Sequence, residues 1–464
     1  MTNLLSIVMS GIFAQSTLVP APSQTAPIVI EHATIHTAVR GAPVLQDGFI
    51  ILDGGKIVAL GEGEARAAGG GPPPLNAQRI DAKGTHLTPG FISTATTLGL
   101  IETGAVRATD DRTEHGAFHP EVSAWVAINP DSDLIPVARL GGVLLALVFP
   151  QGGSVSGEAS LIRLSGWTTE ELAVVPDAGT IIRWPATEPA PRWYTTKNAA
   201  EQEKERRLAM QAIDKFFDEA KEYSRARKAD QLLPLDLRFE RLLDVLDGTR
   251  PLFIEAASAG QIESAILWAV DRAMRPIIVG GQGAPAVSDL LVAQNVPVIV
   301  SGVLRLPRFA HDEYDAAYTL PARLAAKGVE VAIATGDESS NDRNLVHHAA
   351  MAVAYGLPRE EALGAITRVP AELCGAGGQY GVVAIGKSAT ILLHDGDPLE
   401  VKTSVRRAWL DGREIELASH QTQLKSKYEK KYGPQGGGAT TGGAVPAGPP
   451  AQSKPSHPPA STSR

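Results

Sequence analysis

The chain has 464 residues, 44% of them hydrophobic and 20% charged, which is enough apolar content for a large core plus a second module and excludes a fibre or wholesale disorder. Its net charge of -8 and pI near 5.8, with lysine and arginine spread along the chain, give no basic field for nucleic acid or an anionic membrane surface. Cys374 is the single cysteine, so neither an intramolecular disulfide nor a multi-cysteine zinc site can form.

Residues 1–27 are read as a signal peptide and leader. Leu4–Ala14 is a short apolar run followed by a Pro/Ser/Thr/Ala stretch to Pro27, with cleavage expected after Ala14. The run is too short to span a bilayer, so the expectation is an exported protein, periplasmic or extracellular, without a transmembrane segment. If the run is instead a disordered leader or follows a misplaced start codon, the protein stays in the cytoplasm.

Residues 28–90 carry short β-like runs at Ile28–Thr37, Gly48–Leu52 and Lys56–Leu60, the last two joined at the tight-turn sequence Asp53-Gly54-Gly55. Residues 91–375 alternate apolar strand-length runs with helical spacing. Val143–Phe149, Leu252–Ala256, Pro276–Val279, Val296–Val300 and Val329–Thr335 read as strands covered on both faces. Helical patterns at Ile262–Ala273, Val287–Gln294, Ala316–Lys327 and Asn344–Tyr355 separate most of these strands, which predicts an α/β fold of the (β/α)₈ TIM-barrel type. Ala199–Lys228 predicts a longer charged helix burying Leu208, Ile213, Phe216 and Phe217. Residues 376–420 return to β texture at Ala389–His394, Ser404–Leu410 and Arg413–Leu417, predicting one discontinuous β-sandwich assembled from both ends. Residues 421–464 hold a lysine-rich segment (Lys425, Lys427, Lys430, Lys431), read as a solvated helix end, and a Pro/Gly/Ser/Ala-rich tail expected to be disordered.

Several strings in fixed order resemble the imidazolonepropionase-like branch of the amidohydrolase superfamily over about residues 28–420. They are TPGFISTATTLGL (Thr88–Leu100), GAVRATDD (Gly104–Asp111), Asn129-Pro130, ARLGGV (Ala138–Val143), VAIATG (Val331–Gly336), the run Arg343–Thr367 and GKSATILLHDGDPLE (Gly386–Glu400). The resemblance implies metal-dependent hydrolysis of non-peptide or dipeptide C–N bonds, with a divalent metal such as zinc held by two histidines on the first strand, histidines on two middle strands and an aspartate on the last. At those positions this chain has Ala95 and Thr97, Glu255 and Ala257, Gly280, and Gly336, with Asp337 one residue further. No cofactor is therefore expected, and a pseudoenzyme with a ligand-binding or scaffold role follows. Its partners would be a small molecule at the barrel mouth and a second copy or an active relative. The alternative is a C–N hydrolase rebuilt around Glu255 and Asp337, the weak catalytic candidates.

Other chemistry-bearing residues read as structural. His115 and His119 flank Gly116 in a loop, where i,i+4 spacing loses its one-face meaning, and the adjacent His347 and His348 point about 100° apart on a helix. His32, His36, His86, His394 and His420 are assigned to the sandwich or its edges. Ser93, Thr97, Ser258, Ser301 and the Ser154 and Ser156 of the Gly-rich loop QGGSVSGEAS lack both a nucleophile-elbow motif and an evident base.

Overall fold

The computed structural model describes residues 19–190, 194–230, 232–307, 312–336 and 338–433. The apolar run Leu4–Ala14, Asp337 and the tail Pro434–Arg464 lie outside the described residues.

The first sheet comprises β1 (Ile28–Ile35), β2 (Leu45–Asp53), β3 (Lys56–Glu62), β4 (Gln78–Asp81) and β5 (His86–Pro89) from the N-terminal part, and β14 (Ile391–His394), β15 (Val405–Leu410) and β16 (Arg413–Ile415) from the C-terminal part. Its strand order is β16-β15-β14-β5-β1-β2-β3, with β4 also paired to β1. The join between the two chain ends is antiparallel, with Leu393 opposite Leu87 and Leu392 opposite Thr88. The expected composite β module is therefore present. Both predicted tight turns are two-residue loops with left-handed backbone: Gly54 and Gly55 at φ 55° and 79°, Asp411 and Gly412 at φ 49° and 76°.

The second sheet runs β6 (Phe91–Thr96), β7 (Val143–Val148), β8 (Val155–Arg163), β9 (Ala173–Arg183), β10 (Pro251–Ala256), β11 (Arg275–Gly280), β12 (Val298–Ser301) and β13 (Val331–Ala334), neighbours in chain order. It curls into a nearly closed TIM-like barrel. At the closure, Ile92 N–H donates to Ile366 O (2.8 Å) and Ile333 N–H donates to Ala365 O (2.9 Å), so residues 365–366 satisfy both end strands.

One strand departs from the parallel expectation: β8 is antiparallel to both β7 and β9. The Gly-rich segment read as a loop is thus the start of a strand. Gly157 and Gly179, at φ 135° and 148°, permit close backbone approach there, because a Cβ would lie 2.5 Å from Val122 O and 2.6 Å from Pro251 O respectively.

The helix Ala199–Ala229 starts with a capping box in which Asn198 and Glu201 exchange hydrogen bonds, and it buries Ile213, Phe216, Phe217 and Ala220. Leu208, expected on its buried side, is instead exposed. The last described helix, His420–Tyr432, belongs to a separate unit and has no buried residue. Among the described residues no helix is long and apolar enough to cross a membrane.

Candidate functional site

The carboxyl ends of the parallel strands form the barrel mouth, where the family chemistry is expected. On β6 the pairing with β7 is irregular between Ser93 and Thr96, and Ala95 at that irregularity has φ 52°. Gly280, ending β11, has φ 111°, and a Cβ there would meet Ala256 O at 2.9 Å. Gly336, just past β13, has φ 66°. Three of the substituted positions therefore combine the loss of a donor with left-handed backbone, which L side chains adopt only at a cost of about 1–2 kcal/mol. Thr97 contributes a buried hydroxyl, and Ala257 no donor at all.

An arginine takes up part of this space. The Arg305 guanidinium donates to Gly336 O, and a Cβ on Gly336 would come within 2.8 Å of its Nη2. A side chain at Gly302 would collide with the same arginine. Both glycines are thus needed for Arg305 to lie across the ends of β12 and β13. The sequence reading missed Arg305, and the only available signal was the glycine pair.

Glu255 on β10 is half-buried and stands opposite Arg183 of β9 in the strand register. Its Oε2 accepts from Arg183 Nε at 2.9 Å. Glu255 is therefore an ion-paired carboxylate rather than an isolated one. Asp337, the other candidate, cannot be placed beside it because it lies outside the described residues.

A second carboxyl escaped the sequence reading. Asp342 is buried and accepts hydrogen bonds from Thr96 Oγ1 (2.5 Å) and Thr335 Oγ1 (3.0 Å), joining the ends of β6 and β13. Burial pushes its pKa up to about 6 against the opposing pull of these hydroxyls.

Ser93 is fully buried, Ser156 donates to Gly152 O at 2.7 Å, and Ser258 caps the helix Ala259–Asp271. His348 is buried and its Nδ1 faces Val303 N at 3.1 Å, while its neighbour His347 is half-buried. His32, His36, His86 and His394 fall on or beside strands of the first sheet. Among the described residues no three His, Cys, Asp or Glu side chains converge as a metal set. Among the described residues, the donors at the expected ligand positions themselves, one threonine hydroxyl and one arginine-paired carboxylate, do not fit a divalent metal that prefers imidazole and carboxylate together.

No protein-family model matches the chain. A curated relative, the amidohydrolase tasK of Hapsidospora irregularis, is 24% identical over 385 residues, covering 73% of this chain. The chain spans 37% of that relative's length. Among solved structures, an amidohydrolase from Thermotoga maritima MSB8 superposes with TM-score 0.73 at 24% identity, covering 84% of this chain and 99% of that one. A molinate hydrolase matches with TM-score 0.52 at 16% identity over 90% of this chain and 99% of its own. In fold, and in sequence over most of its length, the chain is similar to these amidohydrolases.

Proposed function

We propose that this chain is a member of the amidohydrolase fold whose barrel mouth binds a small molecule without carrying out the metal-dependent C–N hydrolysis of its relatives. The observation that carries the reading is the reshaped backbone at the ligand positions. Ala95, Gly280 and Gly336 are left-handed, and a guanidinium packs against the last of them. Metal hydrolysis needs an ion to lower the pKa of bound water from about 15.7 towards 7 and to polarise the scissile carbonyl. Among the described residues, the side chains at the expected ligand positions supply no set of donors for that ion, and the Arg305 guanidinium lies against the last of them. A barrel mouth remains concave without a metal, and Arg305, Arg183 and Glu255 give it polar groups to orient a ligand. Such a protein would act by binding, alone or beside an active relative, and its place of action follows from whether Leu4–Ala14 directs export.

The second reading is a rebuilt C–N hydrolase with Glu255 or Asp337 as proton carrier, supported by the hydrolase relatives and by the polar mouth. Two measurements separate the readings. Elemental analysis of dialysed, tag-free protein should find well under one equivalent of zinc, manganese or iron. A screen of N-acyl amino acids, dipeptides and cyclic amides should find no turnover attributable to the protein. Stoichiometric metal, or turnover falling about a hundredfold in Glu255→Gln or Asp337→Asn, the scale of a lost general acid or base, would establish the enzyme instead.

A further inference from the structure

The described residues leave a cavity of about 570 Å³ at the seam between the first sheet and the amino-terminal end of the barrel, far from the mouth. It lies between the segment after β1 (Val39, Arg40), Glu330 just before β13, the helix Arg368–Leu373 and the stretch leading into β14. Glu330 and Gly336 bracket β13, so roughly 20 Å of strand separates this cavity from the mouth.

Arg40 donates to Glu330 Oε1 at 2.7 Å, and the largely buried Arg368 is shared between Glu330 (3.4 Å), Glu372 (3.0 Å) and Glu361 (3.8 Å), the last of which does not line the cavity. Among the groups lining the cavity, these two guanidinium groups offset Glu330 and Glu372. Lys387 makes no ion pair among the described residues. Its ammonium donates to the carbonyls of Gly377 (2.7 Å) and Gly378 (3.0 Å), neutral acceptors that fix its position without compensating its charge. An ammonium has three N–H groups, so one donor remains beyond these two. The other walls are apolar: Val39, Val382, Ala384 and the ring of Tyr380.

We infer that this cavity is a binding site for a small organic monoanion, a carboxylate with an apolar body, whose charged end pairs with Lys387. The volume falls in the usual range for small-molecule sites, and a positioned ammonium with apolar walls selects a carboxylate over its neutral amide. The site does not depend on what the barrel mouth does.

Titration calorimetry of the full chain at fixed ionic strength tests this, with sodium hexanoate and hexanamide as probes. Saturable hexanoate binding is expected, at least tenfold tighter than hexanamide and at least tenfold weaker in Lys387→Met. Because Lys387 also holds two loop carbonyls, Ala384→Asp provides a second variant: it keeps the ammonium but places a competing carboxylate in the cavity, and it should abolish hexanoate binding while the thermal midpoint without ligand stays near that of the parent. The inference is overturned if hexanoate shows no saturable binding, if the amide binds equally well, or if folded Ala384→Asp binds hexanoate as tightly as the parent.

Discussion

Asp342→Asn offers a quantitative test of the polar junction between the first and last barrel strands. The Asp342 carboxyl is enclosed by protein, and its pKa rises from an ordinary 3.8 to about 6. The folded state therefore holds the proton more tightly than the unfolded chain. Stability from this group is fully present below about pH 4 and is lost as pH rises through 6, reaching a penalty of about 3 kcal/mol for the ionised form near neutrality. An asparagine keeps the shape and one carbonyl acceptor for the hydroxyls of Thr96 or Thr335 but does not titrate. Urea denaturation of the parent and variant at pH 4.5 and 7.5 isolates the effect, because Glu158, also pushed up to about 7 by burial, contributes equally to both proteins. The stability difference should shift by about 2 kcal/mol in favour of Asp342→Asn on going to the higher pH. A difference that stays constant across this range would refute the account of Asp342 as a strained buried acid.

Ala95→Gly should raise stability by up to about 1 kcal/mol in a chemical-denaturation series, because the backbone at φ 52° favours glycine; a loss would mean that the Cβ makes a contact of greater value. Gly336→Ala should destabilise by about 1–3 kcal/mol, through its φ of 66° and the approach to Arg305, and a neutral thermal midpoint would show that Arg305 is not held there. Glu255→Gln breaks a partly exposed ion pair with Arg183 and should change stability by no more than about 1 kcal/mol. His394 is buried and pushed down to about 3, so the folded first sheet resists its protonation and loses stability as pH falls below about 6.5. His394→Gln should flatten that loss between pH 6.5 and 4, and an unchanged acid slope would assign it to other groups.

Much of the fold was legible because period and punctuation agree along the chain. The apolar runs at Val143, Leu252, Pro276 and Val329 correspond to β7, β10, β11 and β13, and the glycine turns at residues 54–55 and 411–412 bound real hairpins. The pair β8 and β9 was not legible. Gly157, Pro176 and Gly179 carry the usual signs of a turn, and only close contacts from Val122 and Pro251 make glycine necessary within these strands. Leu208 looked like a buried helix position by spacing, but periodicity cannot say where a long helix stops touching its neighbours. At the mouth, the sequence exposed the substitutions at Ala95 and Gly336. It did not show that Arg305 would lie over Gly336, or that Asp342 would tie Thr96 to Thr335, because both depend on where loops bring distant residues. Glu255 was legible as a carboxylate at an expected ligand position, while its pairing with Arg183 followed only from strand register.

The pairing of β5 with β14 also sets an order of assembly during synthesis. Leu87 must wait for Leu393, so the hydrogen-bonding edge of β5 emerges from the ribosome long before its neighbour exists. During that interval the edge can pair with another nascent chain, a hazard that an internal β-module would not create. Any fragment ending before Ile391 would keep that edge permanently open, so a barrel expressed without its C-terminal strands should aggregate through β5 even where its own strands are intact.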